Sequence, residues 1–248
     1  MLWIAAFSFG WAVTAASTQD DPVADGSRTT PMAAAAAVLP KAPDANSPAL
    51  LAGSDRLPPD VALREVSRNP VFASVRRLRL MLPHPNPILV AFHEASKPEA
   101  LALGPVGHLV ANDNPSQYKP GPNRPGPGYR VLSSRGRGRP PTSAVDIVVP
   151  KRALIAAPVS GRVAEVRQYP LYGRTLDWRV AIEPTGHPGF HVVLIHLEQP
   201  RVAVGDKVVA GQTAVALVRQ LGFTSQVDYV TNQHLPHTHI EVKPAPEA

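Results

Sequence analysis

The stretch that decides the fold is TSAVDIVVPKRALIAAPVSGRV, residues 142–163. Short runs rich in valine, isoleucine and alanine are separated here by Pro150, Pro158 and Gly161. Proline cannot donate a hydrogen bond to a strand ladder, and glycine permits tight turns, so these residues mark the ends of strands. The stretch therefore predicts a series of short β-strands.

The same pattern continues toward the C-terminus. Apolar runs recur at roughly ten-residue spacing, at residues 162–167, 179–182, 191–195, 213–218 and 238–242. Short strands at this spacing are typical of a sandwich or barrel. Residues 142–248 are therefore predicted to form an all-β domain, a compact β-sandwich or barrel-sandwich.

Composition excludes several kinds of protein and of site. Proline supplies 29 of the 248 residues, more than twice the usual ~5%. Proline interrupts helices and central strands, which excludes a helical bundle, a coiled coil and a doubly wound α/β enzyme filling the chain. The chain has no cysteine, so a metal site here must be built from histidine and carboxylate.

The N-terminal 60 residues have the composition of an exported protein's leader and spacer. Residues 1–17 carry no charged side chain and end in small residues, as a secretory leader does. They are too short for a stable membrane span, which needs ~20 apolar residues. Residues 18–60 are rich in alanine and proline and are predicted to be a disordered spacer. We therefore expect an exported protein, secreted or held in the cell envelope.

Residues 61–111 are predicted to form a small accessory region that packs on the β domain. Helical turns are expected between residues 61 and 82. Residues 85–93 and 100–110 are apolar and separated by a polar turn, so they are expected to pair as a hairpin.

Residues 112–141 form a Pro/Gly-rich basic loop or linker. The run RGRGRPP, residues 135–141, resembles the minor-groove arm of AT-hook proteins. An exported chain meets anionic wall polymers instead of DNA, and the same Coulomb attraction acts on those. No nucleic-acid partner is expected, and the loop either contacts such a polymer or is a solvated surface.

Three polar residues interrupt the apolar strands of the β domain. His237 and His239 point the same way, because side chains alternate along a strand. Asp146 lies inside an apolar run, where a carboxylate must be paired, hydrogen-bonded or bound to a cation. Each feature alone is more often structural than catalytic. Together they are suited to a metal site with adjoining proton-transfer groups.

A further histidine ends an apolar strand. By alternation, His196 is expected to share a face with Val192 and Leu194, just before the chain turns at Pro200. It is the fourth member of the predicted site.

Four motifs in these strands resemble those of one family. They are APVSGRV at residues 157–163, IHL at 195–197, VGDKVVAGQ at 204–212 and PHTHIE at 236–241. In order and spacing they resemble the lysostaphin/LytM-type zinc metallopeptidases, which cut peptide cross-links of bacterial peptidoglycan. The resemblance implies a β-sandwich fold and an exported zinc metalloendopeptidase.

The resemblance also implies roles for the site residues. Asp146 and His239 would be zinc ligands, and His196 and His237 would flank the attacking water, taking its proton and stabilising the oxyanion. Zinc would lower the pKa of water toward ~7 and polarise the scissile carbonyl.

One expected ligand is missing. The family's first ligand is a histidine four residues before the aspartate, and Thr142 occupies that position. A threonine hydroxyl is a poor zinc ligand, and catalytic zinc normally keeps three protein ligands. The possible substitutes are His93, His187, His191 and His234. His93 is placed first because it ends a predicted strand near the sheet.

Two other functions remain open. Without a third ligand, the domain would be a catalytically degenerate module that binds the wall or regulates another wall hydrolase. The motifs also resemble those of biotinyl and lipoyl carrier domains, which need a modified lysine at a hairpin tip. Lys151 follows a proline and Lys207 lies in the wrong hairpin, which disfavours a carrier. The expected partners are peptidoglycan or another anionic wall polymer, with another wall hydrolase as the alternative. The expected cofactor is zinc, with one expected ligand missing.

Overall fold

The structure is a computed structural model that describes residues 69–173 and 175–246. The predicted leader (1–17), the predicted spacer (18–60) and the start of the accessory region (61–68) lie outside the described residues. The strands and the helix within the described part are β1 (Val71–Val75), β2 (Leu78–Met81), β3 (Leu89–His93), β4 (Gly104–Pro105), β5 (His108–Asn112), β6 (Gly128–Val131), β7 (Ala144–Val148), β8 (Leu154–Ala156), β9 (Gly161–Leu171), β10 (Thr175–Pro184), β11 (Phe190–Glu198), β12 (Lys207–Val208), β13 (Ala214–Val218), α1 (Gln226–Thr231) and β14 (His237–Pro244).

The all-β prediction is confirmed. In the described residues the single α-helix is α1, and most of the strands belong to one large sheet. The order of neighbours along that sheet is β12-β9-β10-β11-β14-β7-β3-β6-β5. No helix in the described part of the chain is long and apolar enough to cross a membrane.

The central strands carry apolar side chains on the core face, and the opposite face carries both polar and apolar ones. Val145 and Ile147 of β7 and Ile240 and Val242 of β14 are fully buried in the main core. Burial of each such side chain contributes about 1.5–3 kcal/mol. Because side chains alternate, Asp146 projects from the opposite face, where the predicted site residues gather.

The accessory region contains a hairpin, but not the predicted one. Helical turns were predicted up to residue 82, and that prediction is wrong for residues 71–81, where β1 and β2 pair antiparallel. The local pattern has period two: Leu78 and Leu80 are buried and Arg79 is exposed. Phe72 of β1 packs against Phe92 of β3, with ring centroids 6.4 Å apart, and ties the hairpin to the large sheet.

The hairpin predicted for residues 85–93 and 100–110 is wrong. β3 pairs antiparallel with β7, and β3 and β5 both pair parallel with β6. β6 lies inside the segment predicted as a loop, and its Tyr129 packs edge-on against Phe92 at 5.6 Å. The surrounding prolines and glycines hid this four-residue strand in the sequence.

Gly161 explains why the first motif contains a glycine. A Cβ built on Gly161 would lie 2.1 Å from the carbonyl oxygen of Glu183, on the neighbouring strand β10. Only glycine allows this approach of the two backbones. The glycine of the motif therefore allows the backbones of β9 and β10 to approach closely where β9 begins.

Candidate metal centre

The site is assembled by the register of four adjacent strands. Asp146 on β7 lies opposite Ala91 on β3 and opposite His239 on β14. His239 in turn lies opposite Ile195 on β11. His93 follows Ala91 by two residues and so projects from the same face of the sheet. The register thus brings His93, Asp146 and His239 together although they are far apart in sequence.

The three side chains form a buried cluster. Nε2 of His93 lies 3.0 Å from Oδ1 of Asp146, and Nδ1 of His239 lies 2.8 Å from the same oxygen. One ligand atom from each residue lies within 4.8 Å of the others. The cluster offers two imidazole nitrogens and one carboxylate, a donor set suited to zinc.

The hydrogen bonding of His93 favours a cation between it and Asp146. Nδ1 of His93 lies 2.9 Å from the carbonyl oxygen of Glu94 and must donate its proton there. In the neutral ring Nε2 then carries a lone pair, and this buried atom makes no hydrogen bond among the described residues. Burial lowers the pKa of His93, although Asp146 opposes the shift. A lone pair facing a carboxylate is repulsive unless a proton or a metal ion lies between them, so the residues fit a metal.

His239 lies between two carboxylates. Its Nδ1 faces Asp146 and its Nε2 lies 3.0 Å from Oε1 of Glu241. Burial lowers the pKa of His239, but the two carboxylates outweigh it and raise the pKa to about 9. A carboxylate that accepts the outer N–H of a ligand histidine fixes its ring and tautomer. Glu241, which the motif included without a role, occupies that position.

Asp146 uses its two oxygens differently. Oδ1 faces the nitrogens of His93 and His239, whereas Oδ2 has Nε2 of His237 and a guanidinium nitrogen of Arg135 each at 3.9 Å. Burial raises the pKa of Asp146, but the surrounding histidines outweigh burial and hold the pKa well below its usual range. The carboxylate is therefore ionised, as a metal ligand must be.

The two predicted proton-transfer histidines adjoin the cluster. The ring centroids of His196 and His237 are 5.1 Å apart, and those of His196 and His239 are 5.9 Å apart. Burial lowers the pKa of His237 to about 4. Nδ1 of His237 is buried and makes no hydrogen bond within the described part of the chain. His237 is therefore neutral near pH 7.

A β-bulge turns His196 into the site. Val180 lies opposite Leu194 and Trp178 opposite Leu197, so β11 has one residue more than β10 at this point. His196 takes up the extra residue with a left-handed φ of 63°. As a result Ile195 and His196 both line the same cavity.

The predicted face of His196 is therefore wrong. Val192 and Leu194 lie in the apolar core, whereas His196 faces the cavity. Regular alternation does not apply across the bulge.

Asp177 is a residue of the candidate site that the sequence prediction missed. Its carboxylate lies 3.0 Å from Nδ1 of His196 and accepts the backbone N–H groups of His196 and Leu197. Burial raises the pKa of Asp177, but its bonds to His196 and Tyr169 outweigh burial and lower it. The signal in the sequence was the one used for Asp146, a carboxylate inside a strand.

The remaining sequence candidates lie outside the cluster. Thr142 precedes β7 and is buried, and its carbonyl oxygen accepts the N–H of Leu103. His234 contacts the carboxylate of Asp228. His187 and His191 are likewise absent from the group that could hold a metal. Of the four possible substitutes, the structure brings only His93 to Asp146 and His239.

The cluster opens into a cavity of about 700 Å³. The cavity wall is rich in cationic side chains, which are Lys97, Arg135, Arg137, Arg167, Arg179 and Lys243. Its carboxylates are Asp146 and Glu241. The wall is therefore positively charged and attracts anionic molecules.

Solved structures similar to this chain include peptidases. A zinc-containing peptidase from Vibrio cholerae is 26% identical, with 41% of this chain and 26% of that chain covered and a TM-score of 0.31. Lysostaphin in solution is 20% identical, with 42% and 37% covered and a TM-score of 0.31. The catalytic domain of the prophage-encoded protein EnpA from Enterococcus faecalis, in mutant form, is 20% identical, with 66% and 88% covered and a TM-score of 0.35.

The similarity to these structures covers only part of the chains compared. The chain spans 26% of the length of the first and 37% of the second. No family model matches the chain, and no curated protein matches it either. The function inferred for this chain therefore rests on its own side chains.

Proposed function

We propose that this chain is a zinc-dependent peptidase of the lysostaphin/LytM type that hydrolyses peptide cross-links of peptidoglycan. The observation that carries the proposal is the buried cluster of His93, Asp146 and His239, with ligand atoms within 4.8 Å of one another. Two histidines and one carboxylate are a known ligand set of catalytic zinc in peptidases.

The residues around the cluster support a metal role for it. In each proposed ligand histidine, the ring nitrogen that faces away from Asp146 is hydrogen-bonded to a protein oxygen. The partner is the carbonyl oxygen of Glu94 for His93 and the carboxylate of Glu241 for His239. Such partners hold the rings in place for a metal. When bound, zinc supplies Lewis acidity, which lowers the pKa of water and polarises a peptide carbonyl.

His196 is placed to accept the proton of the attacking water. Its Nδ1 is occupied by the carboxylate of Asp177 at 3.0 Å, which leaves Nε2 free to take a proton. The buried carboxylate then stabilises the imidazolium that forms, as in other histidine–aspartate pairs.

His237 is suited to the developing oxyanion. Burial keeps its ring neutral near pH 7, so it carries one N–H that it can donate without holding a charge in the resting site. Donors fixed before the reaction stabilise transition-state charge at little reorganisation cost.

The charge of the cavity supports an anionic peptide as substrate. Its wall carries more cationic than acidic side chains, and the peptides of peptidoglycan carry free carboxylates. This substrate lies outside the cytoplasm, so the proposal requires export, for which the predicted leader at residues 1–17 would serve.

The test is hydrolysis of purified peptidoglycan by the zinc-loaded full chain, followed as newly released amine termini. The wild-type protein is expected to release amines, and a chelator should stop the release until zinc is restored. His237→Ala should reduce the rate by about 10²–10³-fold, the range for loss of one donor to the oxyanion. The matched control is His187→Ala, which removes a histidine outside the cluster and should leave the rate unchanged.

The same experiment distinguishes the peptidase from the catalytically degenerate alternative. That alternative was motivated by Thr142, and His93 now offers a third ligand. Zinc-loaded protein that stays on purified wall without releasing amines would overturn the peptidase proposal and favour a wall-binding or hydrolase-regulating module.

A further inference from the structure

Residues 133–137 of the basic loop form a strap beside the metal cluster. Arg135 and Arg137 line the same cavity as Asp146, His237 and His239. Of residues 112–141, it is these arginines of the strap that line the cavity.

Glu94 holds the strap in place. Its carboxylate accepts the hydroxyl of Ser134 at 2.6 Å and the backbone N–H groups of Arg135 and Arg137 at 2.9 and 3.0 Å. The backbone carbonyl of Glu94 also accepts the guanidinium of Arg137 at 3.0 Å. Because Glu94 directly follows His93, the strap and the proposed ligand are fixed to one another.

Gln226 of α1 orients the side chain of Arg135. Its amide nitrogen donates to the carbonyl oxygen of Ser133 at 3.1 Å, and its amide oxygen accepts Nε of Arg135 at 2.5 Å. This contact engages Nε of the guanidinium and not its terminal nitrogens. A terminal nitrogen of the guanidinium is left 3.9 Å from Oδ2 of Asp146.

The positive charge of the Arg135 guanidinium has no carboxylate within hydrogen-bonding distance among the described residues. Its side chain is only 23% exposed, and no carboxylate among the described residues lies closer to it than Asp146. A distance of 3.9 Å is too long for a hydrogen bond. Asp146 is moreover committed to the metal in the proposed function. A partly buried cation is stabilised by a partner of opposite charge, because burial removes part of its hydration.

Three other cations of the cavity wall lie close to carboxylates outside the cluster. Arg179 pairs with Glu165 at 3.0 Å, and Arg167 contacts the same carboxylate. Lys243 lies 3.7 Å from Glu99. Arg135 differs from Arg167 and Arg179 because its guanidinium lies beside the cluster and has no hydrogen bond to a carboxylate.

We propose that Arg135 binds a carboxylate of the peptide substrate beside the scissile bond and so makes cleavage selective for anionic peptides. This inference rests on the proposed function. A guanidinium presents a planar fork that matches a carboxylate with two parallel hydrogen bonds. The carboxylate comes either from the free C-terminus of a peptide stem or from an acidic side chain, and both present the same group.

The test compares cross-linked peptide dimers that differ only in their carboxyl groups. One series carries the C-terminal group as acid or amide, and a second carries the side-chain group as acid or amide. For the wild-type zinc-loaded full chain, kcat/KM should fall about 10- to 100-fold when the recognised carboxylate is amidated, the value of a hydrogen-bonded charge. The series that shows the fall identifies the source.

Two variants assign that preference to Arg135. Arg135→Gln should bring the acid-to-amide ratio within about twofold of one, and Arg135→Lys should keep part of it because a lysine retains the charge without the fork. The control is Arg167→Gln, which removes the same charge from the cavity wall and should keep the full ratio. An unchanged ratio in Arg135→Gln overturns the proposal.

A binding measurement separates this proposal from the proposed function. Calorimetry with the single-stem acid and amide peptides needs no turnover. Tighter binding of the acid by the wild-type protein but not by Arg135→Gln supports the inference even if no dimer is cleaved. Equal affinities of the wild-type protein for acid and amide peptides overturn it.

Discussion

Nε2 of His93 lies 3.0 Å from Oδ1 of Asp146, although the whole basic loop separates the two residues in the chain. The contact is possible because β3 pairs with β7 in a register that sets Ala91 opposite Asp146. The pairing of β3 with β7 thus brings a histidine from a neighbouring strand to Asp146. Thr142 stands at the position where the resembled family has a histidine.

The first prediction concerns the third ligand. His93→Ala should lose zinc after dialysis, because it removes one of the three ligands that catalytic zinc normally keeps. Thr142→Ala should retain about one zinc per chain, since the resident hydroxyl is a poor ligand. Elemental analysis of the purified full chain measures both, with His187→Ala as a control. Zinc loss in Thr142→Ala with retention in His93→Ala would contradict the assignment.

The second prediction concerns Glu241, which accepts the outer nitrogen of His239 at 3.0 Å. Glu241→Gln should weaken zinc binding by about 10- to 100-fold, the usual effect of losing a second-layer carboxylate. Competition with a chelator of known affinity measures the change. Glu183→Gln, a change on β10 outside the cluster, is the control, and equal affinities of the two variants would refute the role of Glu241.

The third prediction concerns Asp177 as the residue that positions His196. Asp177→Asn should lower kcat by about 10²-fold or more, the scale of one general acid–base group, with KM and zinc content close to those of the wild-type protein. Tyr169→Phe removes another partner of the same carboxylate, a 2.8 Å bond, without touching His196. It should have a much smaller effect on kcat. A change in KM alone would indicate a merely structural role for Asp177.

The fourth prediction concerns pH and the helix that carries Gln226. Burial raises the pKa of Asp228, but hydrogen bonds from Ser225, His234 and Leu235 outweigh burial and lower it. A carboxylate with a lowered folded-state pKa stabilises the fold above its ordinary pKa of about 4, and the stabilisation is lost as pH falls through the folded-state value. Asp228→Asn should therefore be destabilising near pH 7.

Urea unfolding of both proteins between pH 3 and 7 checks this fourth prediction. The difference in free energy of unfolding between wild type and Asp228→Asn should shrink below pH ~4. Asp113→Asn, which affects a more exposed ion pair with Arg130, should cost no more than about 1 kcal/mol. A difference for Asp228→Asn that stays constant with pH would count against the role assigned to its carboxylate.

The strands of the β domain could be predicted because their signals are local. Period-two alternation in β14 and β7 and the breakers Pro150, Pro158 and Gly161 lie within a few residues of the elements that they define. The hairpin of β1 and β2 was missed for a related reason, since strands of four or five residues carry too few alternations to be distinguished from a helical turn.

Part of the candidate site could also be predicted from local sequence signals. His237 and His239 share a strand, and a carboxylate buried at Asp146 needs a partner wherever the strand is placed. The face of His196 was predicted wrongly because a bulge depends on the partner strand, here β10, and leaves no mark in the sequence of β11 itself.

By itself, the amino-acid sequence determined the all-β class, singled out Asp146, His196, His237 and His239 as candidate site residues, and placed Thr142 where the resembled family has a histidine. Only the tertiary structure brought His93 to Asp146 and His239, Asp177 to His196, and Arg135 to the wall of the same cavity. The physical reason is that strand pairing and register join residues across the chain through backbone hydrogen bonds, whose partners the local sequence does not specify.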